Sequence, residues 1–482
     1  MRARTTIATG LAIAAAALTA AGCGGGSSPA SSDLGGAASI APTDAVAFVA
    51  LDTNVSSSQW QAVDGLLKKF PSQSDLLTTL QKSLEQHAKL SWSADVQPAL
   101  GSELDLVALP AAGTPGKPQF VGLTQPSDQS KLDALLKKAD AKIVSAQIGG
   151  WTAFSDSQAA LDAMQNAGAK LADNNTYQAA TGKLSADALV RAYANGTEAQ
   201  QLLDSFGAQA QGQALGAAQV PFAWASADVV ASGDGLRVTG YSRDASLAGG
   251  QPVPAQPYAS SLADEIPSGA ILVADFPVAR GQIASALTPS GTTSPFEKLF
   301  GPNAITLASE IDTMLGGETA LYVRPGLPVP EVTLVTQPTD TAAATSALAD
   351  IVTALKKQLG AKAGGIGSLV GNLPIVHTVV GGQLVVSTSQ QGLADFTSAG
   401  PKLSSDPSFT AATQASGMPA KTTGFLYLNV ASALPLLQTV GPFLGLKLPA
   451  TLQTDAGALR TFTAYGTRTG DEAGFTVFVQ VH

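Results

Sequence analysis

The sequence predicts an α+β protein made of two tandem copies of one unit, each a mainly antiparallel sheet with helices packed on one face. Three observations predict it: a long motif that occurs twice, shorter matches in the same order around it, and glycine-rich turns between apolar runs. Residues 100–128 read LGSELDLVALPAAGTPGKPQFVGLTQPSD, and residues 315–340 read LGGETALYVRPGLPVPEVTLVTQPTD. Leu100, Gly101, Glu103, Pro110, Thr124-Gln125-Pro126 and Asp128 return as Leu315, Gly316, Glu318, Pro325, Thr336-Gln337-Pro338 and Asp340. Hairpins inside each copy imply antiparallel pairing, and the helical patterns between them supply a layer to cover the sheet.

The chain opens with Arg2 and Arg4, an apolar run from Ile7 to Leu18, and Thr19-Ala20-Ala21-Gly22-Cys23. A charged start, a short apolar stretch and small residues before a cleavage point make residues 1–22 a secretory signal, too short to span a bilayer as a mature helix. The single cysteine of the 482 residues follows directly. Cys23 is therefore the expected lipidation site of a bacterial lipoprotein, with Ala20 where such motifs usually carry leucine. Residues 23–39, beginning Gly24-Gly25-Gly26-Ser27-Ser28, read as a flexible tether. With Cys23 acylated no disulfide can form, so the body must be held by its core.

The first copy is expected over 40–245 and the second over 259–482, with Gly249-Gly250-Gln251-Pro252-Val253-Pro254 inside a linker at 246–258. Ala41-Pro42-Thr43-Asp44-Ala45 leads into a strand over 46–51, and Ile266-Pro267-Ser268-Gly269-Ala270 into one over 271–276. Trp60, Val63 and Leu67 lie on one helical face, and Leu76, Leu77, Leu80 and Leu84 mark a second helix after Ser74-Asp75. In the second copy this region is shorter, with Ser294-Pro295 as a helix start. Helices follow Asp128, with Leu132, Leu135 and Leu136, and Asp340, with Leu348, Ile351, Val352 and Leu355; both end in paired lysines. Gly149-Gly150 and Gly381-Gly382 turn two-stranded hairpins, each followed by a short helix at Ser157-Gln158 and Ser389-Gln390. Each copy closes with a hairpin, turning at Gly233-Asp234-Gly235 and at Gly470-Asp471.

A net charge of -9 excludes a basic stripe able to neutralise phosphates, so no nucleic-acid partner is expected, nor docking on anionic lipid by charge. Glu103 and Glu318 recur in both copies, and Asp105 shares the strand face of Glu103. Paired carboxylates serve general acid–base and glycoside chemistry. Ala320, however, stands where the second copy would need its aspartate, so the pair reads as a solvated strand face. Asp128 and Asp340 read as helix N-caps. His87, His377 and His482 are scattered, without the spacing of a metal site, and no cofactor is expected. Neither a G-x-S-x-G elbow nor a P-loop occurs, and Gly364-Gly365-Ile366-Gly367-Ser368, lacking the P-loop lysine, reads as a flexible loop. No catalytic residue stands out.

The stretch Leu434 to Leu446 is strongly apolar, whereas the residues after Asn195 carry Gln200, Gln201, Gln209, Gln211 and Gln213. It reads either as packed between the copies or, if exposed, as a partner, lipid or ligand contact through Leu436, Leu437, Val440, Phe443, Leu444 and Leu446.

Pro42-Thr43-Asp44-Ala45, Ser58-Gln59-Trp60 and Lys68-Lys69-Phe70-Pro71 resemble a family of bacterial exported proteins known as domain of unknown function 3352. The resemblance implies an envelope lipoprotein and brings no activity or catalytic residues. The expectation is a lipid-anchored protein on the extracytoplasmic side of the cell membrane, held there through Cys23, with a non-catalytic envelope- or protein-binding role. The alternative is a carrier or sensor of an apolar small molecule held between the repeats; a hydrolase ranks behind both.

Overall fold

The computed structural model describes residues 34–73, 90–110, 119–139, 142–196, 199, 222–244, 255–288, 294–326, 330–360, 374–440 and 454–482. The expected signal segment, the leucine-rich helix at 76–84, His87 and the glycine loop at 364–368 lie outside them. The chain falls into two compact units, Met1–Leu247 with Gly470–Gly474 and Ala248–Thr469 with Phe475–His482.

Unit one contains β1 (Ala47–Asp52), α1 (Ser58–Leu67), α2 (Gln97–Leu100), β2 (Glu103–Leu109), β3 (Gln119–Thr124), α3 (Gln129–Ala139), β4 (Val144–Ile148), β5 (Trp151–Ser155), α4 (Gln158–Gln165), α5 (Asn175–Thr181), β6 (Val190–Asn195), β7 (Phe222–Ser232) and β8 (Gly235–Asp244). Its strands lie in the order β8-β7-β6-β1-β2-β3-β5-β4, every pair antiparallel. The predicted Gly149-Gly150 turn is present with φ of 56° and 85°, the positive pair that a two-residue hairpin needs.

Unit two contains β9 (Leu272–Val278), α6 (Gln282–Leu287), α7 (Pro295–Phe300), α8 (Ala304–Met314), β10 (Gly317–Arg324), β11 (Glu331–Thr336), α9 (Thr341–Gly360), β12 (Val376–Val380), β13 (Gln383–Ser387), α10 (Gln390–Thr397), α11 (Pro407–Ser416), β14 (Phe425–Asn429), α12 (Val430–Val440), β15 (Leu459–Thr469) and β16 (Glu472–Val481). Its strand order is β12-β13-β11-β10-β9-β14-β15-β16. Ser294 starts α7 as predicted, in a capping box with Glu297.

The α+β class and antiparallel sheet agree with the sequence; the one-sided helix layer does not. In unit one, α4 and α5 cover Phe48, Ala50, Val107 and Leu123. The opposite face, with Leu51, Leu104 and Phe154, is covered by α2 and α3. In unit two, α10 and α11 pack over Val273, Ala320 and Val385, and α8 and α9 over Leu334, Leu384 and Val386 on the other side. Successive strand residues point to opposite faces, so strands apolar at both parities need two covers.

Three smaller expectations also change. Residues 34–39 are not part of a tether. They form a short 3-10 turn at Gly36–Ser39, with Leu34, Ala37 and Ala38 buried in the first core. Nor does the linker reach Tyr258, whose N–H donates to Thr422 and whose carbonyl accepts from Thr422 N–H. Helix α1 buries Gln59, Trp60 and Leu66 rather than the face of Val63 and Leu67.

Candidate functional site

Strands β1 and β2 pair so that Ala50 faces Asp105 and Asp52 faces Glu103. The expected solvated face is overturned. Glu103 and Asp105 do share a face, but it is the one carrying the core, and Asp105 is fully buried. A bare carboxylate there would be costly. The donors come from the chain that leads into β1. Oε1 of Glu103 accepts from the N–H groups of Gly35 at 2.6 Å and Gly36 at 3.2 Å, and Oδ2 of Asp105 accepts from Ala37 N–H at 3.1 Å. Glycine is needed because the chain passes close to aromatic rings here: a Cβ on Gly36 would sit 3.1 Å from the Trp151 ring, and Gly35 has φ of +104°. Nη1 of Arg191 on β6 adds a bond to Leu34 O at 2.8 Å, and its Nη2 donates to Thr181 O at 3.0 Å.

Burial, and then the neighbouring Glu103 carboxyl, hold the Asp105 carboxyl well above the usual range. Oδ1 of Asp105 has no donor among the described residues.

Unit two has the same kind of cluster from a different strand. Asp275 on β9 is fully buried and faces Ala320 on β10. Its Oδ1 accepts from the Tyr258 hydroxyl at 2.5 Å and its Oδ2 from the Ser260 hydroxyl. Glu318 on β10 accepts through Oε1 from Leu262 N–H at 3.0 Å and through Oε2 from Ser261 N–H at 3.1 Å and the Ser261 hydroxyl at 2.5 Å. Ser260 Oγ also lies 2.9 Å from Oε1 of Glu318. One hydroxyl has one proton, so it cannot donate to both carboxylates at once. Both contacts are satisfied when Asp275 carries a proton, donates to Ser260 Oγ, and leaves that hydroxyl to donate to Glu318. Burial first, and then Glu318, push the Asp275 carboxyl up to about 6, against the lowering bonds from Ser260 and Tyr258. The Tyr258 phenol is raised by burial and by its bond to Asp275.

Other acids are tied internally. Asp52 accepts from Asn54 N–H at 2.8 Å and the Ser57 hydroxyl at 2.5 Å, and burial pushes its carboxyl up to about 6. Arg191 stands opposite Asp228 on β7, whose carboxyl accepts from Ser185 N–H at 2.6 Å and is raised by burial. Paired acids of raised pKa suit proton transfer when a substrate can reach them. Here Asp105 and Asp275 have no exposed surface, and their partners are the chain's own N–H and O–H groups.

The remaining sequence-derived residues fall as follows. Asp128 and Asp340 are helix caps as expected: each Oδ1 accepts from the N–H groups two and three residues on. On α12, Leu436 is half-buried and Leu437 is 43% exposed; Val440 ends this helix. Phe443, Leu444, Leu446 and Cys23 lie outside the described residues. His377 and His482 are exposed and far apart in sequence. Among the described residues no group of His, Cys, Asp or Glu could hold a metal ion, and no helix is long and apolar enough to cross a membrane.

Sequence reasoning passed over Asp275, Tyr258 and Ser260, and misjudged Asp105. One signal was available: Asp105 in Leu104–Leu109 and Asp275 in Leu272–Val278 are lone acids inside apolar strand runs, where an unpartnered charge would not be tolerated.

No curated protein matches the chain. Among solved structures, the one described as "Structure of crystal form IV of TP0453" is similar over 42% of this chain and 79% of that one, at 9% identity and a TM-score of 0.23. Crystal form III of TP0453 is similar over 44% of this chain and 81% of that one, at 7% identity and a TM-score of 0.22. Scores this low are below those of a shared fold. The profile of one family matches residues 137–479, which leaves the strand and helix motifs at 42–45, 58–60 and 68–71 outside the matched part. On that match, covering most of the sequence, the chain belongs to the family described as "Protein of unknown function (DUF3352)".

Proposed function

We propose that this is a lipid-anchored protein on the extracytoplasmic side of the cell membrane, built from two tandem copies of one unit and acting as a non-catalytic binding module. One observation carries the non-catalytic part. The two carboxyl pairs, each with a fully buried aspartate and the residues best suited by chemistry to catalysis, are used to hold the segments leading into each unit.

The tandem reading is supported by chain path as well as by sequence. Unit one runs β4-β5-β3-β2-β1-β6-β7-β8 and unit two runs β12-β13-β11-β10-β9-β14-β15-β16. One row across the first sheet reads Ala153, Leu123, Asp105, Ala50, Arg191, Asp228. The row at the same places in the second reads Val385, Val335, Ala320, Asp275, Phe425, Tyr465. Asp and Ala have exchanged places, and the carboxyl stays at one spot. Leu171 N–H donates to Ala41 O, as Leu403 N–H does to Ile266 O.

The anchor is supported by the run from Arg2 to Cys23. Fractionation of cells expressing the chain tests it: the intact protein should be found in the membrane with an acylated N-terminal peptide beginning at Cys23, and Cys23→Ser should abolish that peptide. A Cys23→Ser protein with unchanged membrane retention and no lipid on the wild type would refute the anchor. The alternative of an apolar ligand draws on the exposed Leu437 beside half-buried Leu436. Native mass spectrometry of the purified protein separates the two readings. Extra mass released by organic solvent favours a carrier, and an apo mass with envelope crosslinks favours the binding module.

A further inference from the structure

We propose that the two carboxyl pairs are proton-dependent latches on the segments that lead into the units, one on residues 34–41 and the other on residues 258–266: with one proton in the pair the segment is docked, and with that proton lost it is released.

The geometry carries this in each unit separately. In unit two, Ser260 Oγ meets Oδ2 of Asp275 and Oε1 of Glu318 with a single proton to give. Add one proton to Asp275, and every oxygen facing the segment has a partner. Remove it, and two anions compete for the one Ser260 proton while Asp275 stays fully buried, where like charges and missing solvation both raise the energy. Asp275 and Glu318 sit on sheet strands fixed by ladders on both sides. Tyr258, Ser260, Ser261 and Leu262 are on the connecting segment. Movement of that segment is the least disruptive way to let water reach the charges. In unit one a parallel argument applies to Asp105, whose Oδ1 has no donor among the described residues and which shares its strand face with the Glu103 carboxyl. Residues 35–37, Gly-Gly-Ala, give the docked turn little side chain of their own to pack.

The charged and titratable groups facing each latch set the expected difference between them. Asp275 meets Tyr258 and Ser260 from the segment, Glu318 and Ala320 from β10, and Phe425 from β14. Around Asp105 stand Glu103 on β2, Ala50 on β1, Leu123 on β3 and Tyr177 on α5, the last of these also within the field of Arg191 on β6. Glu103 also faces Asp52. Arg191 additionally bonds Leu34 O directly, so residues 34–41 keep this charged tie, beside the Leu171 N–H bond to Ala41 O, when their proton is lost. Residues 258–266 have Phe425 at the matching place and are tied, besides the carboxyls, through uncharged groups: Tyr258 with Thr422, Ile266 O with Leu403 N–H, and Ser261 Oγ with Gln337 Nε2. Unit two is the cleaner test.

Hydrogen exchange of the full-length protein, read by mass spectrometry between pH 5 and pH 8 and corrected for intrinsic exchange, measures the latch directly. The amides of Ser261 and Leu262 should lose at least tenfold protection across that range while the amides of β9 and β10 keep theirs. In Asp275→Asn, whose amide donates to Ser260 as the protonated acid does, protection of 261–262 should hold at every pH. Glu318→Gln removes the other charge but sets an amide NH2 against Ser261 N–H or Leu262 N–H, so its protection of 261–262 should be lower throughout and nearly independent of pH, and it serves if the first variant misfolds by circular dichroism. Wild-type protection that is flat or rises with pH, or a fall in both variants equal to that of the wild type, overturns the proposal.

Discussion

Replacing Asp275 by asparagine should stabilise the protein at neutral pH, although it alters a fully buried, hydrogen-bonded acid. The folded carboxyl titrates at about 6 against 3.8 for the free side chain. The folded state therefore binds this proton more tightly than the unfolded state. Its contribution is fully present below the unfolded value, declines as pH rises toward 6, and is absent above it. A rise of about two pH units, at about 1.4 kcal/mol for each, gives a loss of about 3 kcal/mol across that window. Asparagine keeps the neutral form at every pH: its oxygen accepts from Tyr258, and its amide donates to Ser260 Oγ, which then donates to Glu318. Urea unfolding followed by far-UV circular dichroism at half-unit steps from pH 4 to pH 7.5 measures the difference. Wild type and Asp275→Asn should be equal within about 1 kcal/mol at pH 4, and the variant should be more stable by up to about 3 kcal/mol at pH 7. A variant less stable than wild type at pH 7, or parallel pH profiles, would refute a shared proton at this site.

Four further changes probe the frame that positions the site. Gly101 has φ of +66°, and a Cβ there would lie 2.0 Å from Gln125 O; Gly101→Ala should cost roughly 3 kcal/mol in urea unfolding. Ser294→Ala removes the α7 capping box and should cost about 1 kcal/mol, with Ser294→Asp recovering most of it. Leu132 is fully buried between α3 and the sheet, and Leu132→Ala should cost about 3 kcal/mol, measured in the same way. In unit one, Ala50 faces Asp105, so Ala50→Asp and Asp105→Ala should each lower the melting temperature, and the double variant should recover part of the sum through a coupling of about 1 kcal/mol.

Much of the fold was legible in the sequence because its signals are local. Gly149-Gly150 specifies a hairpin through the backbone freedom of two adjacent glycines, and Asp128, Asp340 and Ser294 specify helix starts through bonds within three residues. The two-sided helix cover was less legible. Each strand run announces apolar residues, but which helices meet Leu104 and which meet Val107 depends on elements distant in sequence. The docking of Leu34 and Ala37 was hidden for a related reason. Gly35-Gly36-Ala37-Ala38-Ser39 has the composition of a tether, and its order comes from acceptors on Glu103 and Asp105, 67 and 68 residues later. Composition reports how freely a segment could move. It does not report which bonds restrain it.

The acid pair escaped notice for a more specific reason. Comparison of position with position set Asp105 against Ala320 and made the aspartate dispensable. In an antiparallel ladder, however, directly opposed residues project from one face with Cβ atoms about 5 Å apart. A carboxyl can move from one strand to its neighbour and still reach the same donors. Asp105 on β2 opposite Ala50, and Asp275 on β9 opposite Ala320, are such an exchange. Under the tandem-copy proposal the retained feature is a carboxyl beside a glutamate at one place in space, not a residue at one place in an alignment. Each copy also supplies small Ala where the other supplies Asp. A buried arrangement of this kind becomes visible when each acid is compared with the cross-strand partner of its counterpart.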